Sequence, residues 1–290
     1  MFLPDFDYHA PESLAEAIDL LARLGPSARV LAGGTDILVK MKNGLAAPAA
    51  LVSLKNLHEL RRIRWDADRG LVIGALATHN EICHSPVVQE RFLSISEAAH
   101  KLANNQVRNR GTIGGNLVNA IPSADLPPIL ITLGASVTLA GADGSRTLPL
   151  EAFFTGVSCC ALKPAGEILT EVAIPPQATT GSTYLKFGLR RSGALAVVGV
   201  AAAVTMEGDL VQDARICLGA VYRTPTRAVQ AEKVLIGQRW TDDLLEQAGR
   251  TAVGCCLPIS DIRGSAEYRR DLVRIYTRRA LRRAITQGHG

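Results

Sequence analysis

Two Gly-Gly turns, Ala32-Gly33-Gly34-Thr35-Asp36 and Thr112-Ile113-Gly114-Gly115-Asn116, constrain this chain more than any other feature of its sequence. Each lies between a strand-like run and a helix-like one. A glycine pair lets main-chain N–H groups approach an anionic oxygen with no Cβ in the way, and the Thr, Asp or Asn that follows adds a polar group for orientation. Neither turn has the G-x-G-x-x-G spacing of a dinucleotide fingerprint, and no G-x-x-x-x-G-K-S/T occurs. One such turn is more often a structural loop. Two of the same kind predict a long diphosphate ligand gripped from two sides.

The rest of the chain divides around these turns. Ser13-Leu14-Ala15-Glu16 reads as a capping box, and Leu14, Ala17, Ile18 and Leu21 carry a helix to a stop at Gly25. Strands are expected at 29–32 and 51–57, with a short helix at 37–41 between them, a βαβ-like unit. A second unit opens with a buried strand at 71–77 and another capping box, Thr78-His79-Asn80-Glu81, followed by helical spacing from Val88 to Leu102. A helix from Ser123 or Asp125 to Leu133 tolerates Pro127 and Pro128 because they fall in its first turn. Strands at 135–140 and 168–174 complete this unit. The turn-rich segment Pro175 to Ser182 is the best linker. Beyond it, strands at 183–189, 195–206 and 214–221 predict an antiparallel sheet, with helices at 228–236, 242–253 and 266–285. Domains are accordingly placed at 1–57, 58–176 and 177–290.

Several function classes are disfavoured. The apolar stretch Ala194 to Val204 is too short for a bilayer helix and reads as a buried strand. Met1-Phe2-Leu3-Pro4-Asp5 lacks the pattern of a signal peptide, so a cytoplasmic location is expected. The formal charge of +5 comes from arginines concentrated after Arg263 without interleaved aromatics, which argues against nucleic acid. The six cysteines include the vicinal pairs Cys159-Cys160 and Cys255-Cys256 but no C-x-x-C, so no metal site and reduced thiols are expected. His79, Cys83 and His84 do not all share one helix face, and no carboxylate completes a ligand set.

Two charged residues stand out. Asp125, at the start of an apolar helix, reads either as an N-cap or as a holder of hydroxyl groups. Lys186, inside an apolar strand, either projects to solvent or supplies a positive charge to a flavin ring or a phosphate. No nucleophile–base pair is legible and no catalytic residue is assigned, so the chemistry is expected to belong to a cofactor.

Taken in order, Leu31-Ala32-Gly33-Gly34-Thr35-Asp36, the run Asn105 to Asn116, and Pro122-Ser123-Ala124-Asp125 resemble the FAD-binding medium subunit of the molybdenum hydroxylases, the family of xanthine dehydrogenase and carbon monoxide dehydrogenase. The resemblance extends over the whole chain, through Phe6-Asp7-Tyr8, Gly166-Glu167-Ile168-Leu169, Lys186 to Arg191, and Asp261 to Arg270. It implies an α+β chain with an FAD-binding fold of the vanillyl-alcohol-oxidase type, two α/β subdomains, followed by a C-terminal antiparallel sheet plus helices.

By position, the resemblance implies that Arg29, Val30, Leu31, Ala32, Gly33, Gly34, Thr35 and Asp36 wrap the diphosphate from one side. Gly111, Thr112, Gly114, Gly115 and Asn116 then hold it from the other. Asp125 would bind ribityl or ribose hydroxyls, Leu169 would lie near the adenine or flavin, Lys186 near the isoalloxazine ring, and Leu102 is a further expected contact. The family further implies a relay. A molybdopterin large subunit hydroxylates substrate, a small subunit carries [2Fe–2S] clusters, and FAD passes electrons to an external acceptor, in a dimer of heterotrimers. Ser192-Gly193-Ala194-Leu195 departs from relatives that place an acidic or aromatic residue close to the flavin. The insertion that carries an extra [4Fe–4S] cluster in the benzoyl-coenzyme-A reductase type of relative is lacking. The basic C-terminal helix reads either as a solvated face or as a docking surface for acidic partners. A free-standing flavoenzyme of the same fold, and a non-enzymatic basic interaction module, are the alternatives; the first would want a histidine beside a glycine turn, and none adjoins either turn in sequence.

Overall fold

The helix Leu14–Leu24 forms on the apolar stripe expected of it, burying Ala17, Ile18 and Leu21, and Gly25 at φ +64° ends it. Ser13 caps it by accepting the Glu16 N–H at 3.2 Å. The Glu16 carboxylate reaches past the cap to the N–H of Glu12, at 2.8 Å, so the reciprocal half of the predicted box closes one residue early. Residues 3–163, 166–190 and 192–287 are described by this computed structural model. Met1, Phe2 and Arg191, which the sequence motifs include, lie outside them. The helix packs on a three-stranded parallel sheet ordered Asp7–His9, Ala50–Ser53, Ala28–Leu31. Its central strand is wholly buried, as a continuous apolar strand of a parallel sheet should be.

The second lobe is an antiparallel sheet of five strands, ordered Ile63–Asp66, Gly70–Gly74, Glu167–Ile174, Ser136–Gly141, Gly144–Pro149. Helices cover one side. Thr78 and Glu81 form the full reciprocal box at the start of the helix His79–His84. The helical run predicted from Val88 to Leu102 is instead two helices, Pro86–Arg91 and Leu93–Lys101. They part at Phe92, whose backbone (φ −143°, ψ 56°) turns out of the helix and lets its ring into the core, 6.5 Å from that of Trp65. In the helix Leu126–Thr132, Pro127 and Pro128 occupy the first turn.

The third lobe is an antiparallel sheet, Gly181–Phe187, Val198–Glu207, Leu210–Gly219 and Thr226–Arg227, with Gly208 at φ +57° in the hairpin turn. Helices Val229–Leu235, Asp242–Val253 and Ala266–Gln287 follow. Strand periodicity explains the apolar run here: Val200, Ala202 and Val204 face the C-terminal helices, while Ala201 and Ala203 join Tyr184 in the core of the second lobe. Ala140 and Ile168 of the second lobe likewise enter the core of the first. The three lobes therefore share cores.

The basic helix is largely paired within the chain. Of the seven arginines from Arg269 to Arg283, five form ion pairs: Arg269 with Asp261, Arg274 and Arg278 with Glu246, Arg282 with Asp242, and Arg283 with Glu97. Arg279 lies over the Tyr276 ring at 5.6 Å. Arg269 is 2% exposed and also donates to the carbonyl of Val197 at 3.0 Å. Its partner Asp261, also held by Arg263, is pulled down to a pKa of about 2 by these hydrogen bonds and charges. The helix is thus an internal clamp, a role that neither reading of its sequence included.

Candidate cofactor site

Between the lobes lies a cavity of about 820 Å³, toward the upper end of the roughly 300–1,000 Å³ common for small-ligand sites. Both glycine turns line it. So do Arg29, Val30, Leu102, Gly111, Asp125 and Leu169. Leu31 and Lys186 are not on its wall. Leu31 stands behind Gly34, its Cδ1 3.4 Å from where a Cβ on that glycine would be, and Lys186 stands behind Asp125.

The two turns do different work. In the first, the main-chain N–H groups of Gly33, Gly34, Thr35 and Asp36 donate to no other described residue, which leaves a run of donors at the cavity wall. Gly34 adopts φ +76°, where a side chain would be strained. In the second, the backbone donors other than that of Thr112 are engaged. The N–H of Gly111 goes to Val107, that of Ile113 to Ala77, of Gly114 to Ala75, and of Asn116 to Thr112. The Gly115 N–H reaches Thr112 Oγ1 at 3.1 Å. Besides the Thr112 N–H, what this turn offers is side chains, among them Asn116, whose Oδ1 is buried without a partner.

The glycines also separate by what a Cβ would meet. On Gly33 it would overlap the carbonyl oxygen of Arg110, and on Gly114 it would fall 2.8 Å from both Cβ and O of Ala75. Both are therefore glycine for close packing of backbone on backbone. Gly115 has only Thr112 Oγ1 nearby, at 3.0 Å. It remains the glycine of this turn whose missing Cβ leaves room beside the cavity.

A polar bridge crosses between the lobes next to the first turn. Lys40 Nζ donates to Asn119 Oδ1 at 2.6 Å, and Asn119 Nδ2 donates to Asp36 Oδ1 at 2.5 Å. Burial raises the pKa of Asp36, opposed by the Lys40 charge. Asp36 and Asn119 are far apart in sequence, so Asn119 and Lys40 were not anticipated. Nothing in local periodicity marks either.

Asp125 occupies the N-cap position of its helix but makes no capping hydrogen bond, which removes that reading. Its Oδ1 accepts the Tyr184 hydroxyl at 2.8 Å and its Oδ2 the Lys186 ammonium at 2.7 Å. Lys186 is only 9% exposed, so the solvent-facing alternative for it falls as well. Burial pushes the Asp125 carboxyl up and the Lys186 charge opposes this. A buried carboxylate with a spare lone pair on each oxygen, lining the cavity, is equipped to accept from ligand hydroxyls.

His79 is a site residue that sequence adjacency missed. The fold brings it against the second turn: its N–H donates to the carbonyl of Gly111 at 3.0 Å, and its ring lines the cavity. It is 2% exposed, and burial, with the nearby Arg108 charge, lowers its pKa to about 4. At the mouth, Gly193, Ala194 and Leu195 complete the wall, and no Phe, Tyr or Trp lies among the described residues that line the cavity. Free backbone donors at one turn, an unpartnered buried amide oxygen at the other and a buried carboxylate between apolar walls suit a long ligand with anionic, hydroxyl and aromatic parts.

Two family profiles match the chain: the FAD-binding domain in molybdopterin dehydrogenase over residues 4–177, and the CO dehydrogenase flavoprotein C-terminal domain over residues 183–284. The carbon monoxide dehydrogenase medium chain of Hydrogenophaga pseudoflava is 37% identical, over 98% of each chain. The xanthine dehydrogenase FAD-binding subunit of Escherichia coli O157:H7 is 30% identical, over 98% of this chain and 97% of that one. Among solved structures, quinoline 2-oxidoreductase from Pseudomonas putida 86 superimposes with a TM-score of 0.94 at 34% identity, covering 99% of both chains.

Proposed function

Because the chain belongs to the FAD-binding medium subunits of the molybdenum hydroxylases, we propose that it is the electron outlet of a multisubunit oxidoreductase. It receives electrons from [2Fe–2S] clusters of a small subunit and delivers them to an external acceptor. A large molybdopterin subunit carries out the substrate chemistry, in a dimer of heterotrimers located in the cytoplasm. Residues 1–57 and 58–176 are assigned as the FAD-binding subdomains and 177–290 as the C-terminal domain. No helix among the described residues is long and apolar enough to cross a membrane.

The observation that carries this reading is one cavity that holds both the unengaged N–H run of Gly33 to Asp36 and the ion-paired Asp125 carboxylate. The first suits diphosphate oxygens and the second suits hydroxyls. Lys186 is assigned to hold Asp125 in place and offset its burial. Leu169 and Leu102 supply apolar wall. Bound there, the flavin provides the redox chemistry, and this chain's residues bind and orient it. Relatives named for carbon monoxide, xanthine and quinoline share this subunit's fold, which supports placing substrate choice on another chain.

Purified from its own cells through a tag on this chain, the protein is expected to bring iron, acid-labile sulfide and molybdenum with it, together with FAD. A yellow protein free of all three would overturn the relay.

A further inference from the structure

The second turn presents a problem of supply. Its backbone N–H groups at Gly111, Ile113, Gly114, Gly115 and Asn116 are engaged within the protein, yet it borders the same cavity as the first. Only the Thr112 N–H is left over from the backbone of this turn, so further donors to a ligand on this side come from side chains. His79 is the ring beside it: a Cβ on Gly111 would lie 3.1 Å from its Cδ2 and 3.3 Å from its Nε2. The other nitrogen, Nδ1, is sealed from solvent and has no partner.

Hydrogen-bond accounting fixes the tautomer. A proton on Nδ1 would be a buried donor with no acceptor, the less tolerated kind of unpaired group, whereas a bare lone pair there costs less. The proton therefore sits on Nε2, at the edge along Gly111. The charges around the ring are arranged to keep it neutral. Arg108, on the neighbouring helix Asn105–Arg108, faces it and opposes protonation. On its own helix, Glu81 is turned to Thr78 and Arg61, and His84 to the carbonyl of Asn80.

We propose that His79 is an uncharged hydrogen-bond donor, through Nε2–H, to the diphosphate of the bound FAD, supplying on the second turn's side what the backbone supplies on the first. This rests on FAD as the cofactor and is independent of the relay, which stands or falls on its metals and partners.

The test is equilibrium binding of FAD, and separately of ADP as a diphosphate probe without the flavin, to the flavin-depleted full chain. His79→Phe keeps the ring volume and removes the donor; His79→Gln keeps a donor. His79→Phe is expected to raise the Kd for both probes about tenfold or more, the scale of a hydrogen bond to a charged acceptor, while thermal stability holds. His79→Gln is expected to stay within about threefold of the original chain, since the donor remains. Unchanged binding by His79→Phe would overturn the assignment, as would a His79→Gln variant that folds but binds as weakly as His79→Phe. If His79→Phe fails to fold, His79→Leu, which also lacks a donor, takes its place with the same expected loss and the same overturning result. Flavin that stays on the polypeptide after acid precipitation of the original chain, and is lost in His79→Gln, would make His79 an attachment point and overturn the donor role.

Discussion

Gly33 lies against the carbonyl of Arg110 so closely that no Cβ could be placed on it without moving one lobe away from the other. The first glycine of the first turn is thus a contact between lobes as well as part of a ligand cradle. Gly33→Ala is expected to lower the melting temperature of the flavin-free chain by several °C and to lose FAD with it. Gly115→Ala should separate the two effects. It adds a methyl 3.0 Å from Thr112 Oγ1, the cap of this helix, at a cost that the gain in helix propensity offsets, so the flavin-free chain should melt within a few °C of the original while FAD binding weakens. Calorimetry of the flavin-free variants, paired with FAD titration, checks both; full FAD affinity in Gly115→Ala would remove that glycine from the cradle.

The Asp125–Lys186 pair predicts strong coupling. Asp125→Ala strands the Lys186 ammonium and the Tyr184 hydroxyl in a nearly dry site, at a cost of about 3–5 kcal/mol. Loss of flavin in that variant alone would therefore say little about hydroxyl binding. The double variant Asp125→Asn with Lys186→Met should be more stable than either single change, with a coupling of about 2 kcal/mol in urea unfolding. Additive effects would show that the pair is not an energetic unit.

Stability should fall with acidification through a window set by His79. Its folded pKa of about 4 lies below the ordinary 6.5, so the unfolded chain binds the extra proton first. The contribution is complete above pH 6.5 and declines as pH falls toward 4, by on the order of 3 kcal/mol at most. Chemical denaturation between pH 7.5 and 4.5 should show this slope in the original chain and a flatter one in His79→Gln. Equal slopes would assign the acid sensitivity elsewhere.

Much of the framework was legible because it is local. The spacing of Leu14, Ala17, Ile18 and Leu21 and the Thr78–Glu81 box are read from neighbours, and the structure has both helices where they indicate. The strands Asp7–His9 and Ile63–Asp66 were not foreseen, since they are too short to set a period and owe their form to the strand beside them. The same division runs through the site. The glycine turns announce themselves, but the bond of Asn119 to Asp36 and the approach of His79 to Gly111 join residues that only the fold brings together.

The aliphatic mouth of the cavity has an optical consequence. Flavin emission is quenched by electron transfer from an adjacent tyrosine or tryptophan, and none lies among the described lining residues. Held extended, with its adenine no longer stacked on the isoalloxazine as it is in free FAD, the bound cofactor in the isolated subunit should therefore fluoresce more brightly than free FAD. Leu195→Tyr, at the mouth, should dim it severalfold, an effect of ring contact. Emission already below that of free FAD in the original chain would place an aromatic ring against the flavin.

The pairing of the C-terminal helix also bears on how this sequence can drift. Glu246 alone receives Arg250, Arg274 and Arg278, so reversing its charge would leave three arginines without their acid at one stroke. Such a position is expected to change in company. Across diverged members of the family, residues 246, 274 and 278 should covary as one character, and a transplanted helix should settle in a new host only when its acids travel with it.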